Sequence, residues 1–293
     1  MEIRLLRYFW TIAEEGTISK AAEVLHITQP TLSRQLKELE DELGTTLFIR
    51  SKKQMTLTEA GLFLKSRAED ILTLTQQTAQ EFADRKQQLF SGRISIGCVE
   101  ADNSDTLAMI LETFVSDYPQ VTFNIFSGTS DDIVDKLEKG LIDVAILLEP
   151  VITDKYEKVV LPRTERWGLL VSQADFLAGQ KAVTPTDVSH LPLLTGERSA
   201  VQNMLADWAN VPLSKLNIVG TFNLIFNVRP LVARGMGSAL VIEGVSDPKD
   251  TATVFMPLVP EIKTNCVLVW KKSRILSPVS RAFVNYFKHA FKA

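Results

Sequence analysis

The residues with the most chemistry to offer lie close together: Thr28, Gln29, Pro30, Thr31, Ser33, Arg34 and Lys37. Gln and Arg each present two hydrogen-bonding groups in one plane, which suits a base edge in a duplex groove, while Thr, Ser and Lys reach phosphate oxygens. Spacing decides whether they can act together. Leu32, Leu36, Leu39 and Leu43 recur four, three and four residues apart, so a helix here buries its leucines and turns Thr31, Ser33, Arg34, Gln35 and Lys37 outward. Thr28 can cap that helix, and Pro30 is tolerated in its first turn, where its missing amide proton would have had no partner. Upstream, Ala21, Ala22 and Leu25 make a shorter apolar stripe that residues 26–28 interrupt. Two short helices, a tight connection and one polar, basic outer face read as a helix-turn-helix, with Gln29, Ser33 and Arg34 placed to read sequence. An ordinary helix pair in some core is the plain alternative.

Other chemistries have little to work with. His26, His190 and His289 are the three histidines and stand at unrelated places, so neither a metal cluster nor a Ser-His-Asp set has a basis. No G-x-G-x-x-G follows a strand and no G-x-x-x-x-G-K-[ST] occurs. An enzyme is therefore disfavoured, and no cofactor or metal is expected. Cys98 and Cys266 are too few for a disulfide framework and lack C-x-x-C spacing, so two reduced, buried thiols are expected.

The chain has 293 residues, 45% hydrophobic and 23% charged, enough for two or three domains of a soluble protein. No apolar run of about 18 residues exists to span a bilayer. The start MEIRLLRYFWTIAEE lacks the layout of a secretory signal, so a cytoplasmic location without membrane partners is expected. Net charge is −3, which excludes a protein coated in basic charge. In residues 1–58 eight Lys and Arg balance eight acids, but the bases Arg34, Lys37, Arg50, Lys52 and Lys53 sort onto the reading helix and the segment after it. A local positive patch is all a phosphate backbone requires.

The elements that must position these residues are legible in the periodicity. Ile3–Glu15 reads as an opening helix with Leu5, Leu6, Phe9, Trp10 and Ala13 on its core face. After Gly44, residues 46–50 and 55–58 read as a two-stranded wing carrying Arg50, Lys52 and Lys53 toward phosphates. Residues 59–90 read as one long helix, with Ala68, Thr75, Phe82 and Leu89 repeating every seven residues beside Leu72 and Ala79, the pattern of helices paired along a seam. From position 91 strands and helices alternate, which predicts a mostly parallel sheet with helices on both faces.

Ala21-Ala22, Leu25, residues 28–36, Leu39-Glu40 and the run 43–50 (LGTTLFIR) together resemble the signature of LysR-type transcriptional regulators. The resemblance is specific over residues 1–65 and looser over 91–293. It implies an α/β protein with an all-α winged helix-turn-helix over residues 1–58, a dimerising linker helix over 59–90, and a two-lobed effector domain over 91–293 similar to type 2 periplasmic-binding proteins. Lobe I would take residues 91–161 and 266–293, and lobe II 162–265. It further implies double-stranded DNA, a small-molecule effector, a second copy in a dimer, a tetramer through the sensor domains, and RNA polymerase as partners. A solute-binding protein alone would need a signal peptide and no helix-turn-helix.

In open α/β sheets ligands sit beyond the carboxyl ends of strands, where helix N-termini offer amide protons. Four such loops are candidates for the effector: Ala101, Asp102, Asn103 and Ser104; Ser127, Gly128 and Thr129; Thr195 and Gly196; and Thr221 and Phe222. Simple helix capping is the alternative role for their hydroxyls. Glu100, Asp102 and Asp105 depart from the uncharged loop of the family, which disfavours an acidic effector.

Overall fold

Apolar stripes at helical spacing assemble the first of two units, Met1–Gln88 and Leu89–Ala293, in a computed structural model that describes residues 1–50, 54–86, 92–247 and 249–291. The first holds helices α1 (Ile3–Glu15), α2 (Ile18–Val24) and α3 (Gln29–Leu43), strands β1 (Phe48–Arg50) and β2 (Met55–Leu57), and helix α4 (Glu59–Lys86). Leu5, Leu6, Phe9, Ile12, Ala21, Ala22, Leu32, Leu36 and Leu39 form its core. Leu43 does not join them. It is 40% exposed, because it closes α3 one residue before the left-handed Gly44 cap, past the reach of the core.

The wing is tied down by the helices. Glu40 of α3 accepts from the amides of Leu47 at 2.8 Å and Phe48 at 3.4 Å, and the amide of Met55 donates to the carbonyl of Gly16 at 2.9 Å. A Cβ on Gly61 would lie 2.2 Å from the Leu47 carbonyl, so only glycine lets α4 approach the base of the wing this closely.

Helix α4 corrects the expected seam at Ala68 and Leu72. Leu64 and Ala68 are buried and Leu72 packs in the same core, so these positions serve their own unit. Among the described residues the large apolar side chains that α4 leaves exposed are Leu62, Phe63, Ile71, Leu74 and Phe82, of which Phe63, Ile71, Leu74 and Phe82 share one side of the helix. Leu89 lies outside the described residues.

The second unit runs β3 (Gly92–Cys98), α5 (Asn103–Asp117), β4 (Val121–Ser127), α6 (Ser130–Lys139), β5 (Val144–Leu148), β6 (Tyr156–Ser172), α7 (Pro185–Val188), β7 (Leu193–Gly196), α8 (Ser199–Ala209), β8 (Ile218–Phe222), α9 (Arg229–Ala233), β9 (Ser238–Ile242), β10 (Thr253–Pro257), β11 (Lys263–Lys271) and α10 (Pro278–Ala290). Among the described residues nine of these strands join one sheet in the order β4-β3-β5-β11-β6-β9-β7-β8, with β10 also on β6.

That sheet is mixed, which corrects the expectation of a mostly parallel one. Pairing is parallel at its two ends, β3 with β4 and β5, and β7 with β8 and β9. It is antiparallel in the middle, where β11 meets β5 and β6, and β6 meets β9 and β10. The middle strands are the ones that cross between the lobes. Strand β6 is 17 residues long: its first part pairs with β11 from Lys271↔Tyr156 to Lys263↔Arg166, and its last part with β9 and β10. A register shift between Asn265 and Val267 breaks the β6–β11 ladder at the crossing.

Candidate functional site

On the first unit the reading face is built by the caps of α3. The Thr28 side chain accepts from the Thr31 amide at 3.4 Å, and the two hydroxyls are 2.8 Å apart. His26 takes a left-handed backbone with φ 54° and turns the chain between α2 and α3. With Leu32, Leu36 and Leu39 inward, Gln29, Pro30, Arg34 and Lys37 are exposed and Thr31 and Ser33 half-buried. Gln29, Ser33, Arg34 and Lys37 have no hydrogen-bond or ion-pair partner among the described residues, so their donors stay available. Arg50 ends β1, opposite Met55. Lys52 and Lys53 lie outside the described residues.

On the second unit a cavity of about 130 Å³ lies between the lobes. Lobe I contributes Val99, Glu100, Gly128, Thr129, Ser130 and Leu148 to its walls, and β6 contributes Trp167. Lobe II contributes Gly196, Glu197, Arg198 and Val201, the run 222–225, the run 240–242 and Val245. Of the four loops named from sequence, three send residues to it, Gly128, Thr129, Gly196 and Phe222, and the loop after β3 reaches it through Glu100, just before the residues named there.

The other named residues do not line it, for identifiable reasons. Ala101 is buried in the core. Asn103 is fully buried and donates through Nδ2 to Glu165 Oε1 at 2.8 Å and to the Arg163 carbonyl at 3.1 Å. Glu165, itself 1% exposed, also accepts from the amides of Asp102 at 3.3 Å and Asn103 at 3.2 Å. A carboxylate from the crossing strand thus closes the N-terminus of α5, the end that helix polarity makes receptive to anions. Thr195 is fully buried and accepts from Gln202 Nε2 at 3.2 Å. Thr221 alternates with Phe222 along β8 and so faces the other way. Ser104 and Ser127 line an adjoining cavity of about 690 Å³ within lobe I, between α5 and β4, where Leu107, Leu111, Phe123 and Ile125 supply apolar wall and which shares Val99 and Glu100 with the inter-lobe cavity.

Two contacts across the gap between the lobes have no signal in the sequence. The Arg198 guanidinium crosses the gap, donating from Nε to Asp131 Oδ1 at 3.1 Å and from Nη2 to the Pro150 carbonyl at 2.7 Å. Gly244 meets lobe I so closely that a Cβ would lie 2.6 Å from the Asp102 amide nitrogen. Trp167 is fixed on the crossing strand by its indole N–H, which donates to Thr264 Oγ1 at 3.0 Å. Behind β3 and β11, burial pushes the Cys98 thiol up to about 11 and raises that of Cys266 as well, aided by the nearby Glu165 charge. Both thiols are free and protonated at neutral pH. Among the described residues no group of three or more His, Cys, Asp or Glu could hold a metal ion, and no helix is long and apolar enough to cross a membrane.

Comparison with known proteins matches residues 3–62 to the model of the bacterial regulatory helix-turn-helix protein, lysR family, and residues 87–292 to that of the LysR substrate binding domain. The nitrogen assimilation regulatory protein nac of Klebsiella aerogenes is 32% identical over 84% of this chain and 80% of its own length. The Hca operon transcriptional activator HcaR of Escherichia coli strain K12 is 28% identical over 97% of this chain and 96% of its own. Full-length CbnR, solved in complex with its target DNA, has the same fold, with a TM-score of 0.75 at 22% identity over 99% of this chain and 100% of that one. The chain belongs to the LysR family and is a DNA-binding transcriptional regulator with a helix-turn-helix domain and an effector-binding domain.

Proposed function

We propose that α3 reads an operator through Gln29, Ser33 and Arg34, that Lys37, Arg50, Lys52 and Lys53 hold phosphates, and that an effector bound between the lobes controls the outcome. The observation that carries the second part is the convergence of four strand-end loops on one cavity whose two walls are joined by β6 and β11. A ligand there touches both lobes at once, so it binds one lobe arrangement better than another, which is the requirement for control.

The active form is a homodimer paired through α4, assembling further into a tetramer, and it acts in the cytoplasm on promoters served by RNA polymerase, with no cofactor and no catalysis. Two reading helices on one two-fold axis give the half-site specificity that one helix lacks. The exposed stripe Phe63, Ile71, Leu74 and Phe82 supports the pairing.

Gly196→Leu tests the effector site. Gly196 lines the cavity and the nearest atom to a Cβ there is 4.0 Å away, so the backbone accepts a side chain at this position. Thermal shift of the full chain against a metabolite library should give hits that stabilise the parent and lose their effect in Gly196→Leu. Hits that survive the substitution place the site elsewhere.

A further inference from the structure

Which charge the inter-lobe cavity accepts depends on which of its polar groups are already engaged. Its cation, Arg198, is only 12% exposed and bonded to Asp131 and to the Leu148 and Pro150 carbonyls. The Ser130 hydroxyl both donates to the Leu148 carbonyl and accepts from its amide, each at 3.2 Å. The Thr129 hydroxyl donates to Asp132 Oδ2 at 2.7 Å inside a capping box that also satisfies the start of α6. Among the lining residues this leaves the Asn223 amide as the side-chain donor without a partner, its oxygen already accepting from Leu224. The N-terminus of α8 remains as a source of amide protons, and it is preceded directly by the Glu197 carboxylate.

The acceptors are in the opposite state. Glu100 from lobe I and Glu197 from lobe II both line the cavity, both are exposed at its mouth, and neither has an ion pair or side-chain hydrogen bond among the described residues. Between them the walls are apolar: Val99, Leu148, Trp167, Val201, Leu240 and Ile242. An anion entering here would meet two like charges with its usual donors engaged elsewhere, whereas a cation finds two open carboxylates, one on each lobe, and an indole. A volume of about 130 Å³ is close to the roughly 150 Å³ that accommodates a benzene ring, so the body has about six heavy atoms.

We propose that this cavity selects a small amine with a compact apolar body, its ammonium facing Glu100 and Glu197 and its hydrocarbon against Trp167, Leu148 and Val201. The proposal rests on the reading of the cavity as the effector's seat. Because the two carboxylates belong to different lobes, the ammonium also links the lobes across the gap, alongside the Arg198 bridge.

Isothermal titration of the full chain with 3-methylbutylamine, 3-methylbutanol and 3-methylbutanoate tests it. The amine should bind at least about tenfold more tightly than either isostere, roughly what charge-assisted hydrogen bonds add to a neutral contact, and its affinity should fall as salt rises. Glu100→Gln and Glu197→Gln should each weaken the amine several-fold and leave the alcohol unchanged, and both are surface changes that keep the fold. A carboxylate that binds as tightly as the amine, no binding of the amine, or an amine affinity indifferent to both Gln variants overturns the assignment. Gly196→Leu separates the two levels. If it abolishes a preference for the carboxylate, the charge assignment fails and the effector site stands. If binding persists in Gly196→Leu, the site itself lies elsewhere.

Discussion

On α3, Gln29, Arg34 and Lys37 stand exposed with every side-chain donor open, whereas around the inter-lobe cavity Thr129, Ser130, Thr195 and Arg198 are each bonded to the protein itself. The contrast reflects what each surface meets. A duplex presents a stiff, regular array of acceptors, so the reading helix needs only rigidity, which its buried leucines and Thr28 cap supply, plus unused hydrogen-bonding capacity. A cleft that two lobes share has to hold its own shape, so its polar groups go to capping helices and bridging lobes. Substitutions on α3 should therefore change binding without stability, and substitutions around the cleft should change both.

The largest departure from that pattern should come from Glu165. Its carboxylate serves the Asp102 and Asn103 amides and Asn103 Nδ2 while almost fully buried. Glu165→Ala leaves those donors without an acceptor and should destabilise the second unit by about 3 kcal/mol. Urea unfolding followed by the fluorescence of Trp167, Trp208 and Trp270 would measure it, and a midpoint equal to the parent's would show that water takes over the role of the carboxylate. On α3, Arg34→Ala should cost about 1–3 kcal/mol of affinity on the correct operator and less than about 0.5 kcal/mol of stability. Equal losses on operator and scrambled duplex would remove Arg34 from the reading set.

The same contrast explains how legible each region is. For α3 everything needed is local: leucine spacing, a threonine before a proline, a glycine at the end. The cleft depends on partners far apart in sequence. Asn103 looks like a polar loop residue beyond β3, and it turns inward because Glu165, 62 residues away, supplies its acceptor. A glutamate in the charged stretch 157–166 reads as solvent-facing, and nothing in its neighbours says that a helix N-terminus waits behind it. For the same reason β6 reads as a strand only over its apolar end, residues 168–172. Its first part carries Glu157, Lys158, Pro162, Arg163 and Glu165, and it is a strand because β11 pairs with it, not because of its own propensity. Strands β7 and β10 give little signal because each is short and ends on a residue that disfavours strand, Gly196 and Pro257. In α4 the heptad is sound as periodicity, but Ala68 and Leu72 serve the core of their own unit, which a single chain's pattern cannot distinguish from a dimer seam.

Two smaller effects sharpen the comparison. At the cleft, Gly244→Ala places a methyl against the Asp102 backbone, which belongs to the helix that Glu165 holds in place. The lobes must separate slightly or α5 must shift, at a cost of about 1–2 kcal/mol. Small-angle scattering should show a more open second unit, and any effector that bridges the lobes should bind several-fold more weakly. An unchanged scattering profile together with unchanged affinity would mean that the contact yields locally and does not set the lobe arrangement. At α4, Phe82→Asp puts a charge into the exposed stripe, where Phe82 is 66% exposed in the single chain. Sedimentation should show a weaker dimer while the unfolding midpoint stays close to the parent's, since an exposed position contributes little to its own unit. A dimer as tight as the parent's would move the seam off Phe82.

The smallest expected effect tests the partition within α3 itself. Lys37 lies three residues beyond Arg34, so the two share a face of the helix and one turn separates them. What differs is chemistry: a guanidinium matches a guanine edge with two parallel hydrogen bonds, while an ammonium is a compact charge that any phosphate satisfies. Lys37→Ala should accordingly weaken operator and scrambled duplex alike, by about 1 kcal/mol at moderate salt, and lower the slope of log affinity against log salt by about one, the value for a single phosphate contact. Arg34→Ala, on the same duplexes, should shift the operator curve and leave the scrambled one nearly in place. The pair of measurements carries its own control, because both variants remove one positive charge from neighbouring exposed positions. If Lys37→Ala separates operator from scrambled duplex as strongly as Arg34→Ala does, base reading extends further along α3 than Arg34, and the division between reading and holding falls later in the helix.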